Sequence, residues 1–179
     1  DTYGRMDHES LGSSLHLAGY TLSSLGHFAK AQPWFEEAVA EKRQGDMHGR
    51  MDHASLGSTL HQVGYCLSSL GHFAAAQPSF EMAVAEKRQG DTHGRIDHAS
   101  LGISLHQVGV CLSRLGQFAA AQRWFEESVT ETRLGDILGR VNHESLAKSL
   151  DWVGQCRANL GDAVGAAEWR ALAAKERAL

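Results

Sequence analysis

The sequence predicts an all-α protein, an α-solenoid built from four helical hairpins, and three observations carry that prediction. A Gly-Arg pair opens at Gly4, Gly49, Gly94 and Gly139, so the 179-residue chain repeats with a period of 45. A fixed period of about 20–50 residues is the mark of a stacked repeat architecture. Within each copy the apolar residues recur at steps of three and four, the spacing of one face of a helix. No copy carries a run alternating apolar with polar residues of the kind a half-buried strand needs. The copies are bounded at 4–48, 49–93, 94–138 and 139–179, one array without a linker domain.

The second copy shows the logic of each element. Leu56, Leu60, Val63, Leu67 and Leu70 form the apolar stripe of a first helix, A, with Asp52 as N-cap and Gly71 as stop. A second helix, B, runs from Phe73 through Phe80, Ala83 and Val84 to Gln89, with Lys87 and Arg88 in the last turn where the helix dipole favours cations. Pro78, like Pro33 one copy earlier, falls inside helix B and is expected to disturb its first turns. The stretch from Gly90 to Arg95 is polar and glycine-rich and reads as a loop. Applied to every copy, these signals put helices A at roughly 7–25, 52–70, 97–115 and 142–160 and helices B at roughly 28–44, 73–89, 118–134 and 162–178.

The pattern Leu60-x2-Val63-Gly64-x2-Leu67, then Leu70-Gly71-x-Phe73, Ala76-x3-Phe80 and Ala83, resembles the tetratricopeptide repeat. Gly19, Phe28, Ala31, Phe35 and Ala38 stand at the same points in the first copy, and Gly109, Phe118, Ala121, Phe125 and Ser128 in the third. At 45 residues each copy is longer than the usual repeat, so the chain is most similar to the extended repeats of kinesin light chains and bacterial signalling proteins. The fourth copy departs from the pattern, with Ala163 in place of the first Phe and Arg170 at the second aromatic position. The resemblance implies a right-handed superhelix whose concave wall is made by the A helices, in a family whose members mostly bind proteins or peptides. It also implies an alternative role as the sensor or regulatory arm of a larger signalling effector, such as an NTPase or a caspase-like protease. In either helix pair Gly64 and Ala76 let A and B approach, and Phe73 and Phe80 fill the remaining space.

Composition narrows the partners. With 42% hydrophobic and 21% charged residues the chain can bury a core, and no run of about 18 apolar residues suggests a membrane span. A net charge of −4, without a stripe of Lys and Arg, speaks against nucleic acid. Cys66, Cys111 and Cys156 stand at one register of stacked copies. Such positions lie about 8–10 Å apart, too far for a disulfide, which needs Cα atoms within about 7 Å. Reduced, buried thiols and a cytoplasmic location are therefore expected. The chain opens in mid-copy, at Asp1-Thr2-Tyr3-Gly4, and is read as a piece of a longer array. Bare ends of such an array are expected to self-associate end to end.

Comparing the copies separates scaffold from freedom. Along helix A the changes fall at Glu9/Ala54/Ala99/Glu144, Ser13/Ser58/Ile103/Lys148, Tyr20/Tyr65/Val110/Gln155 and Ser24/Ser69/Arg114/Asn159, which share one narrow helix face with His16, His61, His106 and Asp151. By the family resemblance this face is the concave groove. The expected ligand-binding residues are His16, Tyr20, Ser24, His61, Gln62, Tyr65, Ser69, His106, Gln107, Arg114, Lys148, Asp151 and Gln155, with Arg114 and Lys148 drawing an acidic group of the ligand and Asp151 as a local counterweight. The histidines His8, His53, His98 and His143 are read as fixing the turn between copies, and His16, His61 and His106 as exposed on the groove, where titration near neutrality would make binding pH-sensitive. Rows of equivalent residues are spaced too widely to share one zinc ion, and no HExxH or CxxC motif is present, so no metal and no cofactor is expected. Asp52-His53-Ala54-Ser55 is ordinary capping chemistry, and no enzymatic activity is expected. Trp34, Trp124 and Trp169 share a place on helix B that Ser79 interrupts and are read as packing at the outer or inter-repeat surface. The Glu-Lys-Arg runs at Glu41 and Glu86 are read as solvated helix ends.

Overall fold

A computed structural model describes residues 6–179; the opening Asp1-Thr2-Tyr3-Gly4-Arg5, including the first Gly-Arg pair, lies outside the described residues. The chain divides into two compact units, Asp1–Arg95 and Ile96–Leu179. Unit 1 holds α1 (His8–Ser24), α2 (Phe28–Lys42), α3 (His53–Ser69) and α4 (Phe73–Lys87). Unit 2 holds α5 (His98–Arg114), α6 (Phe118–Leu134), α7 (His143–Asn159) and α8 (Ala163–Glu176). Among the described residues there is no strand, and no helix is long and apolar enough to cross a membrane.

The helix starts follow from capping. Asp7, Asp52, Asp97 and Asn142 each accept a hydrogen bond from the backbone N–H three residues on, at Ser10, Ser55, Ser100 and Ser145. Between hairpins the Asp46 carboxylate accepts the backbone N–H groups of His48 and Arg50 and the Arg50 guanidinium. The Arg50 backbone N–H and guanidinium hold that carboxyl down to about 2. Asp91 and Asp136 repeat the arrangement. Gly90 closes this loop at φ +83, where an added Cβ would stand 2.7 Å from the Gly94 carbonyl carbon, so no side chain fits there.

In unit 1, α2 packs against both α1 and α3, and Ala31, Phe35 and Val39 meet Leu56, Leu60, Val63 and Cys66 of α3 and Ala83 of α4. In unit 2, Val129 of α6 meets Leu146, Ala147 and Leu150 of α7 and Ala173 of α8, with Trp169 partly buried against them. Phe35, Phe80 and Phe125 are fully buried and face a helix-A glycine: a Cβ on Gly64 would lie 2.9 Å from the Phe80 ring. Deleting the Cβ is what allows the two helices to close over the aromatic plug. Cys66, Cys111 and Cys156 are free and buried. Burial pushes the Cys66 and Cys156 thiols up, which keeps them unreactive.

One expectation is corrected, that of the Glu-Lys-Arg runs; the prolines leave α2 and α4 helical, with first turns that add the three-residue bonds Lys30 N–H to the His27 carbonyl and Ala75 N–H to the His72 carbonyl. α2 and α4 run unbroken through Pro33 and Pro78. Both prolines lie on the exposed side, so the carbonyl each one frees, four residues earlier, is left to solvent while the buried Ala31, Phe35 and Ala38 face holds α2 in line. The Glu-Lys pairs at the ends of α2 and α4 are not solvated. Lys42 and Lys87 are only 2% and 6% exposed. Glu41 and Glu86 receive His8 Nδ1 and His53 Nδ1, both at 2.6 Å.

Candidate binding face

The first histidine row does its work inside each copy. His8, His53, His98 and His143, each at the start of a helix A, pair with Glu41, Glu86, Glu131 and Glu176 near the end of the same copy's helix B, at 2.6, 2.6, 2.6 and 2.8 Å. These bonds close the open end of each hairpin, where the connecting turn gives no support. They replace the expected role at the turn between copies.

The second row is half-buried, packed against the helix-B phenylalanines. The His16, His61 and His106 rings stand edge-on to Phe35, Phe80 and Phe125 at centroid distances of 5.3, 5.1 and 5.2 Å. His16 Nδ1 lies 3.0 Å from Thr59 Oγ1, and His106 Nδ1 lies 2.9 Å from Ser149 Oγ. Because the Thr59 hydroxyl already donates to the Ser55 carbonyl, it accepts from His16, which assigns the proton of that ring to Nδ1. Burial, with the charge of Lys42 second, lowers the pKa of His16. Burial and Lys87 push His61 down to about 3, and burial and Lys148 push His106 to about 4.

The expectation of groove histidines titrating near neutrality is therefore corrected for His61 and His106, whose rings desolvation holds neutral near pH 7, and His16 is shifted in the same direction. A folded pKa below the unfolded value near 6.5 gives stability that is complete above about pH 6.5 and is lost as the pH falls towards the folded pKa, by up to about 1.4 kcal/mol per pH unit for each ring. We expect the His61 and His106 ring proton shifts to stay constant from about pH 8 to 5, while His61→Gln makes the fall in urea stability over that range shallower. A midpoint near pH 6.5 for either ring would contradict the packing described.

The other expected residues divide by unit. In unit 1, Tyr20 is 53% and Tyr65 40% exposed, the latter edge-on to Phe28 at 5.8 Å. Ser24 and Ser69 are exposed, and the Ser24 hydroxyl is turned back to the Thr21 carbonyl at 2.8 Å; Gln62 is half-buried. His16 lines a small pocket with Ser13, Lys42, Ser55, Ser58 and Thr59, residues that the binding-site reading had left out. In unit 2, His106, Gln107 and Lys148 share one pocket. Asp151 and Gln155 share another with Trp152 and Arg170. Arg114 is exposed at the end of α5 and lines neither pocket. Asp151 is not a free counterweight, since it accepts from Arg177, and Gln155 accepts from Arg170 at 3.4 Å.

Trp152 went unnoticed. It occupies the register of Leu17, Gln62 and Gln107 and stacks on Phe125 at 5.4 Å with an interplanar angle of 16°. Among the tryptophans of the B helices, Trp34 is 42% exposed, and Trp169 lies under the Arg157 guanidinium at 5.9 Å.

A family model for the tetratricopeptide repeat matches residues 12–44. No curated protein matches the sequence. Among solved structures, the chain is similar to BtubC (BKLC) from P. vanneervenii, with a TM-score of 0.82 at 16% identity, over 98% of this chain and 66% of that one. It is similar to the nearly identical TPR-like repeats of a putative kinesin light chain from Podosopora anserina, with a TM-score of 0.70 at 20% identity over 97% of this chain and 78% of that one. YrrB, described as a TPR protein with an unusual peptide-binding site, aligns with a TM-score of 0.65 at 17% identity over 92% of this chain and 68% of that one. The chain thus spans about two thirds of the first of these structures. The matched segment lies in the first of four copies of one sequence unit, and each copy folds as a helical hairpin, so the chain has the fold of a tetratricopeptide-repeat solenoid.

Proposed function

We propose that this chain is a protein-interaction scaffold, one array of four repeats, whose A helices present a peptide- or protein-binding face. In unit 1 that face consists of His16, Tyr20, Ser24, His61, Gln62, Tyr65 and Ser69; in unit 2 of His106, Gln107, Arg114, Lys148, Asp151 and Gln155. The observation that carries this reading is the coincidence of variation with exposure. Where the copies agree at Ala31, Ala76 and Ala121 and at Phe35, Phe80 and Phe125, the side chains are buried; where they differ along helix A, Tyr20 is 53% and Tyr65 40% exposed, and Lys148 and Gln155 reach solvent. An exposed tyrosine carries a large amphipathic ring of the type that anchors interfaces. The tetratricopeptide fold supports a scaffold role, and the peptide site described for YrrB is consistent with it.

The test is a peptide selected on the folded chain from a displayed library, titrated against Tyr20→Ala and Tyr65→Ala. Each variant is expected to weaken binding by about tenfold or more, the loss of one interface anchor. Trp34→Ala, on α2, is expected to leave it unchanged. Retained affinity in both tyrosine variants with loss in Trp34→Ala would overturn the assignment.

A further inference from the structure

Two of the chain's four methionines meet at the open end of the first hairpin. Met6, just before α1, and Met47, in the loop after α2, line one pocket of about 300 Å³ with His8, Gln44, Asp46 and Gly49. Met6 is 60% and Met47 44% exposed, so the pocket is entered from solvent. Its one carboxylate is already engaged: Asp46 Oδ1 accepts the His48 and Arg50 backbone N–H groups at 2.8 and 2.9 Å, and Oδ2 accepts the Arg50 guanidinium at 2.9 Å.

The histidine is held from behind. His8 Nδ1 lies 2.6 Å from Glu41 Oε2, and an ionised carboxylate only accepts, so Nδ1 carries the ring proton. In the neutral ring this leaves the lone pair on Nε2, which makes no hydrogen bond among the described residues. A carboxylate behind one imidazole nitrogen fixes the tautomer and orientation of the ring and raises the basicity of the other nitrogen as a metal ligand.

The copies separate this donor set from the fold. The His-Glu bond recurs in all four, whereas the register of Met6 reads Met51, Ile96 and Val141 in the later copies, and that of Met47 reads Thr92 and Ile137. Closing a hairpin therefore does not require the sulfurs, and the first copy alone joins two thioethers to the histidine.

We propose that Met6, Met47 and His8 bind one Cu(I) ion through two thioether sulfurs and the imidazole Nε2, with Glu41 as the positioning residue behind His8. Thioethers are soft ligands that select Cu(I), and a neutral imidazole suits copper as well. Calcium and magnesium take oxygen ligands, and the pocket's carboxylate is held by Arg50. Zinc takes thiolates, imidazoles and carboxylates, and among the described residues no three His, Cys, Asp or Glu side chains are grouped to hold an ion. The thiols that would compete for copper, Cys66, Cys111 and Cys156, are buried. Methionine's three rotatable bonds give the exposed sulfurs the reach to close on an ion. The expectation of no metal rested on like residues spaced in rows; this site joins unlike residues of one copy. None of them belongs to the proposed peptide-binding face, so the site stands apart from that reading.

The experiment adds Cu(I), buffered anaerobically by bicinchoninate, to the chain carrying 13C at its methionine methyls, and follows all four methyls by NMR. The Met6 and Met47 methyls are expected to shift to saturation at one equivalent while Met51 and Met82 stay unmoved, and Zn(II) at the same concentration is expected to move none. Met47→Thr and Met6→Ile install residues that stand at the same registers in the second and third copies, and far-UV circular dichroism checks that each variant keeps its helices. Each is expected to abolish the saturable shift of the remaining methyl. Glu41→Gln is expected to weaken Cu(I) by about 10–100-fold and to move the His8 ring proton off Nδ1, read from the ring 15N shifts. Silent Met6 and Met47 methyls with copper bound elsewhere, equal shifts with Zn(II), or wild-type affinity in both methionine variants would overturn the site. Unchanged affinity and tautomer in Glu41→Gln would overturn the role given to Glu41.

Discussion

Phe80→Ala is expected to destabilise the chain by about 3–5 kcal/mol, the usual cost of removing a buried aromatic whose surroundings cannot collapse. The ring is fully buried, sits against Gly64 and carries the edge of His61 at 5.1 Å, so its loss leaves a cavity in contact with two helices. The fourth copy supplies the matched control. Arg170 occupies the same register but is exposed, and Arg170→Ala is expected to change stability by less than about 0.5 kcal/mol. Urea unfolding followed by far-UV circular dichroism measures both. Equal costs at the two positions would mean that the aromatic plug does not hold the hairpins.

The second large effect is at Lys42. Removing one partner of a buried ion pair leaves the other charge uncompensated and costs about 3–5 kcal/mol, and here the stranded group is Glu9, whose second oxygen is already buried without a partner. Lys42→Ala is therefore expected to destabilise the chain by about that amount. The paired change Lys42→Thr with Glu9→Ala reproduces the combination that stands naturally at Thr132 and Ala99, and it is expected to recover most of the loss. A double-mutant cycle should show a coupling of about 1–3 kcal/mol. Additive single effects would show that Lys42 and Glu9 act separately.

The helices were legible because each signal is local and occurs four times. Asp52 followed by Ser55, the Leu56 to Leu67 stripe and the Gly71 and Gly90 stops set the element ends to within a few residues of α3 and α4. The Gly64 and Phe80 pair was legible too, because a missing Cβ and a large ring answer each other at one contact. What the sequence concealed depends on pairs 33 residues apart. Nothing at Glu41 announces His8, and a Glu-Lys-Arg run reads as solvated until α1 and α3 are seen to close over Lys42. The partial burial of His16, His61 and His106 was concealed for the same reason: their helix face is shared with exposed Tyr20 and Tyr65, and only the neighbouring helix decides how far water reaches each. One signal was present and unused. The same comparison of copies along helix B, Lys42 to Lys87 to Thr132, marks a lining position at which the unit 1 and unit 2 pockets differ, and Gln107 to Trp152 marks the added aromatic.

The central claim, that the variable face of the A helices is where a partner is held, is tested most directly by backbone amide shift perturbation with a selected peptide. The predicted result is a contiguous set of shifts at Ser13, Leu17, Tyr20 and Ser24 of α1 and at Ser58, Gln62, Tyr65 and Ser69 of α3, with Lys30, Trp34 and Glu37 on the exposed side of α2 unmoved. Shifts confined to α2 and α4, with Tyr20 and Tyr65 silent, would contradict it.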